Sequence, residues 1–215
     1  MKQIGHLHVL TDTVLQSRFS HVELTRLAIA GGADTIQFRQ KTGSTREMIN
    51  IARQLKQMCA DAGVTFIVND RVDVAIAADA DGVHLGQDDF PILLARELLG
   101  ETRVIGGSAV TLEEAQKCLA KRADYIGFGP VYPTTSKADA GPTTGIALLK
   151  QVVEAISLPI IAIGGVSVEN TPEVMATGAH GIALISAVCC HENPEQATRA
   201  LYQALHAGRL RGNHA

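Results

Sequence analysis

The chain has 215 residues, enough for one large domain with a sizeable core, and a formal net charge of −3, which argues against a nucleic-acid partner or an anionic membrane surface. It is 46% hydrophobic but only 4% aromatic, with 20 glycines and no tryptophan. That composition suits Val/Ile/Leu/Ala elements joined by tight turns, offers no aromatic platform for single-stranded nucleic acid, and leaves any affinity for phosphate to local groups.

The N-terminus, MKQIGHLHVLTD, enters an apolar run without the long apolar region of a signal peptide, and no stretch reaches the roughly 18 apolar residues of a membrane span. Short β-branched runs then recur at 6–10, 35–39, 65–69, 81–86, 103–108, 125–129, 159–165 and 181–186. Segments of helical periodicity lie between them, such as Met48, Ile49, Ala52, Leu55 and Cys59. Ser44 with Glu47, and Thr111 with Glu114, have capping-box spacing and mark two helix starts. The pairs Ala33-Asp34, Ala80-Asp81, Ala123-Asp124 and Ala179-His180 each introduce an even-numbered strand. Eight continuously apolar strands alternating with helices, in four βαβα repeats, predict a single-domain α/β fold: a closed (β/α)8 TIM barrel with its active site at the C-terminal rim of the strands. The absence of G-x-G-x-x-G after the first strand disfavours an open doubly wound sheet. Residues 1–207 are assigned to the barrel and 208–215 to a flexible C-terminal tail. The cysteines Cys59, Cys118, Cys189 and Cys190 lack CxxC or zinc-ligand spacing and read as buried, reduced thiols of a cytoplasmic protein; no HExxH pair supports zinc.

In such a barrel, chemistry belongs to the strand exits. Strand 2 ends in Gln37, Arg39 and Lys41, strand 3 in Asn69 and Asp70, and strand 4 carries His84 and runs into Gln87, Asp88 and Asp89. Strand 5 ends in Ser108, strand 6 feeds a long loop with Thr134, Thr135, Ser136 and Lys137, strand 7 ends in Gly164 and Gly165, and strand 8 in Ile185 and Ser186. Arg39, Lys41 and Lys137 together would neutralise a group with several negative charges, although each alone reads as a solvated strand-end charge. Asp70 and Asp89 beside them suggest Mg²⁺ bridging protein to phosphate oxygens; singly, each reads as a helix N-cap. Gly164-Gly165 and Ile185-Ser186 occupy the usual barrel phosphate site, where backbone N–H groups hold a monophosphate, although the glycine pair alone reads as a tight turn. Two anion sites follow, one rich in cations for a diphosphate and one made of backbone.

Taken together, QFRQK (37–41), FIVND (66–70), DGVHLGQDD (81–89), GFGPVYPTTSK…AGPTTG (127–145), IAIGG (161–165) and IALIS (182–186) resemble the thiamin phosphate synthase family, in order along nearly the whole chain. The resemblance implies a Mg²⁺-dependent transferase that joins 4-amino-2-methyl-5-hydroxymethylpyrimidine diphosphate to 4-methyl-5-(2-hydroxyethyl)thiazole phosphate, giving thiamin phosphate and pyrophosphate. It assigns Gln37, Arg39, Lys41, Asn69, His84, Ser108 and Lys137 to the pyrimidine diphosphate, with Arg39, Lys41, Ser108 and Lys137 in the catalytic role. Asp70 and Asp89 would ligate Mg²⁺, with Asp88 as the neighbouring alternative, and Thr134, Ser136, Gly165, Ile185 and Ser186 would bind the thiazole phosphate. The loop 129–145 would close as a lid that excludes water. The partners are then small molecules, with no nucleic acid and no membrane; the oligomeric state is left open, a homodimer being compatible with the resemblance.

Three positions depart from the family's usual pattern: Ser136 stands where Thr is usual before Lys137, a mild change that keeps the hydroxyl, while His8 stands where Tyr is common and Val110 where His is expected after Ser108. The latter two keep in view a non-catalytic paralogue that binds a thiamin precursor. A thiazole tautomerase is the nearest alternative enzyme, but that relative tends to carry His in place of Pro130 and lacks the full set of diphosphate-binding cations.

Overall fold

The computed structural model describes residues 4–136 and 141–212, the last five as backbone only. Each apolar run becomes a strand: β1 Leu7–Thr11, β2 Thr35–Phe38, β3 Thr65–Asn69, β4 Gly82–Leu85, β5 Val104–Ala109, β6 Tyr125–Phe128, β7 Ile160–Ile163 and β8 Gly181–Leu184. They close in sequence order into one parallel barrel, β8 returning to pair with β1. Successive side chains point to opposite faces of a strand. Ile36, Phe38, Val68, Val83, Ile105 and Ile126 therefore face outward into the large core under the helices, while Leu10, Ile67, Val104, Tyr125, Ile161 and Ala183 fill a smaller core inside the barrel. Burial on both faces is why the strands read as continuous apolar runs.

The fourfold repeat has a mechanical cause. Asp34, Asp81 and Asp124 sit at the start of even strands, and their carboxylates accept backbone N–H groups at the start of the preceding odd strand. Asp34 takes His6 and Leu7 at 2.8 Å, Asp81 takes Phe66 at 2.9 Å and Asp124 takes Ile105 at 2.7 Å. Arg96 then pairs with Asp124 and Lys56 with Asp81. In the fourth copy, His180 takes the position and hydrogen-bonds Ile4 O through Nε2 instead. These clamps stitch the barrel's floor.

Helices α1 His21–Gly31, α2 Thr45–Ala62, α3 Val72–Ala77, α4 Ile92–Leu99, α5 Leu112–Ala120, α6 Gly145–Ala155, α7 Thr171–Ala176, α8 Ser186–Cys189 and α9 Pro194–Gly212 cover the outside. Of the two expected capping boxes only half of each forms: Ser44 and Thr111 accept the N–H of Glu47 and Glu114. Glu114 turns its carboxylate to the Val110 N–H instead, at 2.7 Å. The complete box is at Ser20 and Glu23, which sequence reading missed. α9 carries helical backbone through Gly212, past the boundary expected at 207, because one glycine costs a helix only about 1 kcal/mol and good helix formers flank Gly208. Cys59, Cys118 and Cys189 are buried, whereas Cys190 is exposed, correcting the expectation of four buried thiols. No helix among the described residues is long and apolar enough to cross a membrane.

Two buried histidines make stability depend on pH. His8, inside the barrel, donates from Nε2 to Gly5 O at 3.1 Å, and His21 packs edge-on against Phe38. Burial lowers both from 6.5 to about 4. A depressed folded-state value means that the unfolded chain takes the proton first. The stabilising contribution is thus complete above pH 6.5 and is lost as pH falls towards 4. At about 1.4 kcal/mol per pKa unit, His8 alone accounts for roughly 3 kcal/mol. Thermal melts are expected to fall through this window in wild type, and less steeply in His8→Phe; a flat melting temperature there would contradict the assignment.

Candidate active site

A cleft of about 270 Å³ opens at the C-terminal rim. From the β2–β5 half of the barrel it is lined by Arg39, Lys41, Asn69, Asp70, Asp89 and Ser108; from the β6–β8 half it is lined by Thr134, Ser136, Gly165, Ile185 and Ser186. Below it lies a narrower space of about 30 Å³, lined by His8, Gln37, His84, Ser108 and Tyr125. Gln37 and His84 therefore sit a layer beneath the other predicted residues. Gln37, expected at the rim, pairs in register with Leu10 and Ile67 and looks into the barrel, its Oε1 buried with no partner among the described residues.

Among the described residues, the two cations of this wall, Arg39 and Lys41, are already paired. Arg39 forms an ion pair with Asp12, a residue missed in the sequence, while still lining the cleft. The Asp12 carboxylate, 1% exposed, also accepts the N–H groups of Val14 and Leu15 at 2.8 and 3.0 Å. Lys41 pairs with Asp70 across the mouth of β2 and β3.

Neither aspartate caps a helix: Arg71 and Pro91 occupy those positions before α3 and α4. Asp70 takes a left-handed conformation with φ of 65°, a region that Asp and Asn tolerate better than most side chains. Asp89 accepts the Gly86 N–H at 2.7 Å and lies within hydrogen-bonding contact of Asp70. Burial, reinforced by Asp89 and opposed by Lys41, pushes the Asp70 carboxyl above its usual range. Two carboxylates in contact must share a proton or a cation. The set is all oxygen and open to the cleft, so it fits a hard divalent cation. No group of three or more His, Cys, Asp or Glu gathers among the described residues, which leaves the remaining coordination positions to water and ligand oxygens.

The opposite side is neutral. Ser136 Oγ lies 2.7 Å from Ser186 Oγ, and the Ser136 N–H reaches Thr134 Oγ1 at 3.2 Å. Gly164 and Gly165 have φ of 90° and 64°, and a Cβ there would lie 2.5 Å from Pro130 and 2.6 Å from Tyr132 respectively. Glycine is required by the close passage of the loop after β6 as well as by any ligand. Both ends of that loop are built into the barrel. Val131 and Tyr132 donate backbone N–H bonds to Ile163 O and Gly164 O at 2.9 and 3.0 Å, and Thr144 bonds Pro130 O at 2.7 Å. The ends of the segment 129–145, expected as a lid, are thus fixed to the barrel, and residues 137–140 within it lie outside the described residues. Lys137, assigned to the diphosphate, lies outside the described residues.

Besides Asp12, sequence reading missed Tyr125, whose hydroxyl lies 3.0 Å from His84 Nδ1; Gln87, seen at the exit of β4 without a role, donates to Ser108 O. The Thr-Asp at the exit of β1 was a usable signal for Asp12; Tyr125 looked like any strand aromatic. Of the three departures, His8 packs its ring 5.5 Å from that of Tyr125, and Val110 and Ser136 line the cleft.

Residues 7–188 match the family described as thiamine monophosphate synthase. The chain belongs to that family. Its thiamine-phosphate synthase relatives include one from Salinibacter ruber, 52% identical over 98% of this chain and 92% of its own length. Another, from Methanocella arvoryzae, is 49% identical over 96% of this chain and 97% of that relative. The solved thiamine phosphate pyrophosphorylase from Pyrococcus furiosus superimposes with a TM-score of 0.88 at 43% identity, over 95% of this chain and 96% of that one. A 3-hexulose-6-phosphate synthase at 19% identity and a TM-score of 0.68 shares the barrel fold alone. Within the thiamine monophosphate synthase family, the matched span runs from the first residue of β1 into α8 and so includes every described rim residue above.

Proposed function

We propose that this chain is a thiamine-phosphate synthase, joining hydroxymethylpyrimidine diphosphate to hydroxyethylthiazole phosphate with release of pyrophosphate. One observation carries the reading: a single cleft has paired carboxylates and cations on one wall, and glycine backbone with hydroxyls on the other. A diphosphate needs the first kind of wall and a monophosphate the second, and the cleft holds the two reactants side by side.

Asp70 and Asp89 would hold Mg²⁺, which when bound neutralises charge on the diphosphate oxygens and makes them a better leaving group. Lys41, released from Asp70, and Arg39, anchored by Asp12, then clamp the same oxygens. The carbon–oxygen bond breaks, its electron pair leaving with pyrophosphate, and the pyrimidine spreads the positive charge left on the methylene. The thiazole nitrogen gives its lone pair to that carbon and closes the new carbon–nitrogen bond. Gly165, Ile185, Ser136 and Ser186 hold the thiazole phosphate so that the nitrogen faces the carbon, and the loop after β6 keeps water from competing. A tautomerase would need a proton-transfer group over the thiazole; Pro130 stands on that wall, and the rim cleft has no histidine among its described lining.

The test is turnover of the two precursors with Mg²⁺, followed as thiochrome fluorescence. Product formation that stops with EDTA and returns with Mg²⁺ is expected. Tight binding of either precursor without product would overturn the reading.

A further inference from the structure

The register across β4, β5 and β6 sets His84 opposite Gly106 and Gly106 opposite Tyr125. Two rings that belong to strands on either side of β5 meet over the missing side chain. A Cβ on Gly106 would collide with both Tyr125 Cζ and His84 Nδ1, and one on Gly127 would lie 2.9 Å from His84 Cε1. The barrel wall is thus bare at two inward positions, and the bare patch admits this pair. Tyr125 OH is 3.0 Å from His84 Nδ1, and His84 Nε2 is 2.9 Å from Ser108 Oγ. Ser108, two residues after Gly106 on the same face of β5, lines both the inner space and the rim cleft. Its carbonyl is pinned in turn by Gln87 Nε2 and, at 3.6 Å, by the Cys118 thiol.

The direction of these bonds matters. Burial keeps the Tyr125 phenol an O–H group whose hydrogen needs an acceptor, and His84 Nδ1, 3.0 Å away, can receive it. The ring proton then resides on Nε2 and is donated to Ser108 Oγ, whose own hydrogen is left to point into the cleft. The opposite tautomer would take that hydrogen and turn oxygen lone pairs towards an anion. Ionised phosphate oxygens are acceptors, so the first arrangement is the one that suits a fully ionised diphosphate.

We propose that Tyr125 is a positioning residue that, through His84, locks Ser108 as a hydrogen-bond donor to the departing diphosphate. The identity of the ligand rests on the synthase reading; the tautomer does not. Two measurements test the relay. Ring ¹⁵N NMR of the wild-type protein, with His84 assigned by the signal lost in His84→Gln, is expected to show the Nε2–H tautomer and a shift towards Nδ1–H in Tyr125→Phe. A wild-type Nδ1–H tautomer would overturn the proposal whether or not the protein turns over. In the synthase assay, Tyr125→Phe is expected to lower kcat about 10-fold or more, the worth of one hydrogen bond to a charged group, with the KM for thiazole phosphate unchanged. In a Ser108→Ala background the same change should add almost nothing, because the two act as one unit. An equal loss in both backgrounds would mark Tyr125 as merely structural and sink the relay. Failure of wild-type turnover alone would instead strike the synthase reading.

Discussion

Replacing Asp89 with asparagine is expected to leave the protein folded and to cut thiamin phosphate formation roughly 100-fold or more. The asparagine oxygen can still accept the Gly86 N–H that Asp89 holds at 2.7 Å, so the turn after β4 keeps its anchor. What disappears is one of the two negative charges that face each other across the mouth of β3 and β4. Asp70 alone, still paired with Lys41, is a poor site for a divalent cation. The Mg²⁺ concentration for half-maximal rate should therefore rise along with the fall in kcat. Asp88→Asn is the control: Asp88 is exposed and lines the same cleft, and its loss should change the rate little. An Asp89→Asn protein with unchanged Mg²⁺ dependence, or a larger loss in Asp88→Asn, would remove Asp89 from the metal role.

Arg39→Ala should damage stability as well as turnover. Asp12 is 1% exposed on its side chain, and removing its partner leaves a buried carboxylate held by only two backbone N–H groups. Breaking a buried pair from one side costs about 3–5 kcal/mol, and the two remaining N–H bonds place this case near 3. For a domain of this size that lowers the melting temperature by roughly 10 °C. Adding Asp12→Asn removes the orphaned charge and should recover most of the stability without recovering activity, because the guanidinium proposed to clamp the diphosphate is still missing. Melting temperature and kcat/KM measured on both single variants and the double variant separate the two effects. If activity returns with stability, Arg39 matters only as a structural partner of Asp12.

The sequence carried the fold openly because a strand buried on both faces cannot hide: β7 and β8 read as unbroken apolar runs. The Ala-Asp repeat was equally legible, although its cause, an aspartate gripping the start of the preceding strand, appears only when the strands are parallel neighbours. At the rim, legibility followed exposure. Arg39, Lys41, Asp70, Asp89 and Ser108 stand out as polar residues at the ends of apolar strands, and the structure brings all five to one cleft. Pairings were hidden, since Asp12 meets Arg39 only because β1 and β2 lie side by side. Depth was hidden too: Gln37 and Arg39 share a face, but one register step drops Gln37 inside the barrel. The role of Tyr125 depends on what Gly106 and Gly127 lack, and no residue type announces an absence of side chain as a site. The capping boxes failed for a related reason. Spacing predicts that Glu114 can reach back, but the competing Val110 N–H decides where it goes.

Two chemically different anion sites in one cleft are the core of this account, and a crystal structure of the protein with thiamin phosphate, pyrophosphate and Mg²⁺ tests them most directly. The predicted result puts pyrophosphate and the metal between Asp70, Asp89, Arg39 and Lys41, and the phosphate of the product against Gly165, Ile185 and Ser186. Pyrophosphate bound at the glycine wall, or both groups competing for the cationic wall, would contradict it.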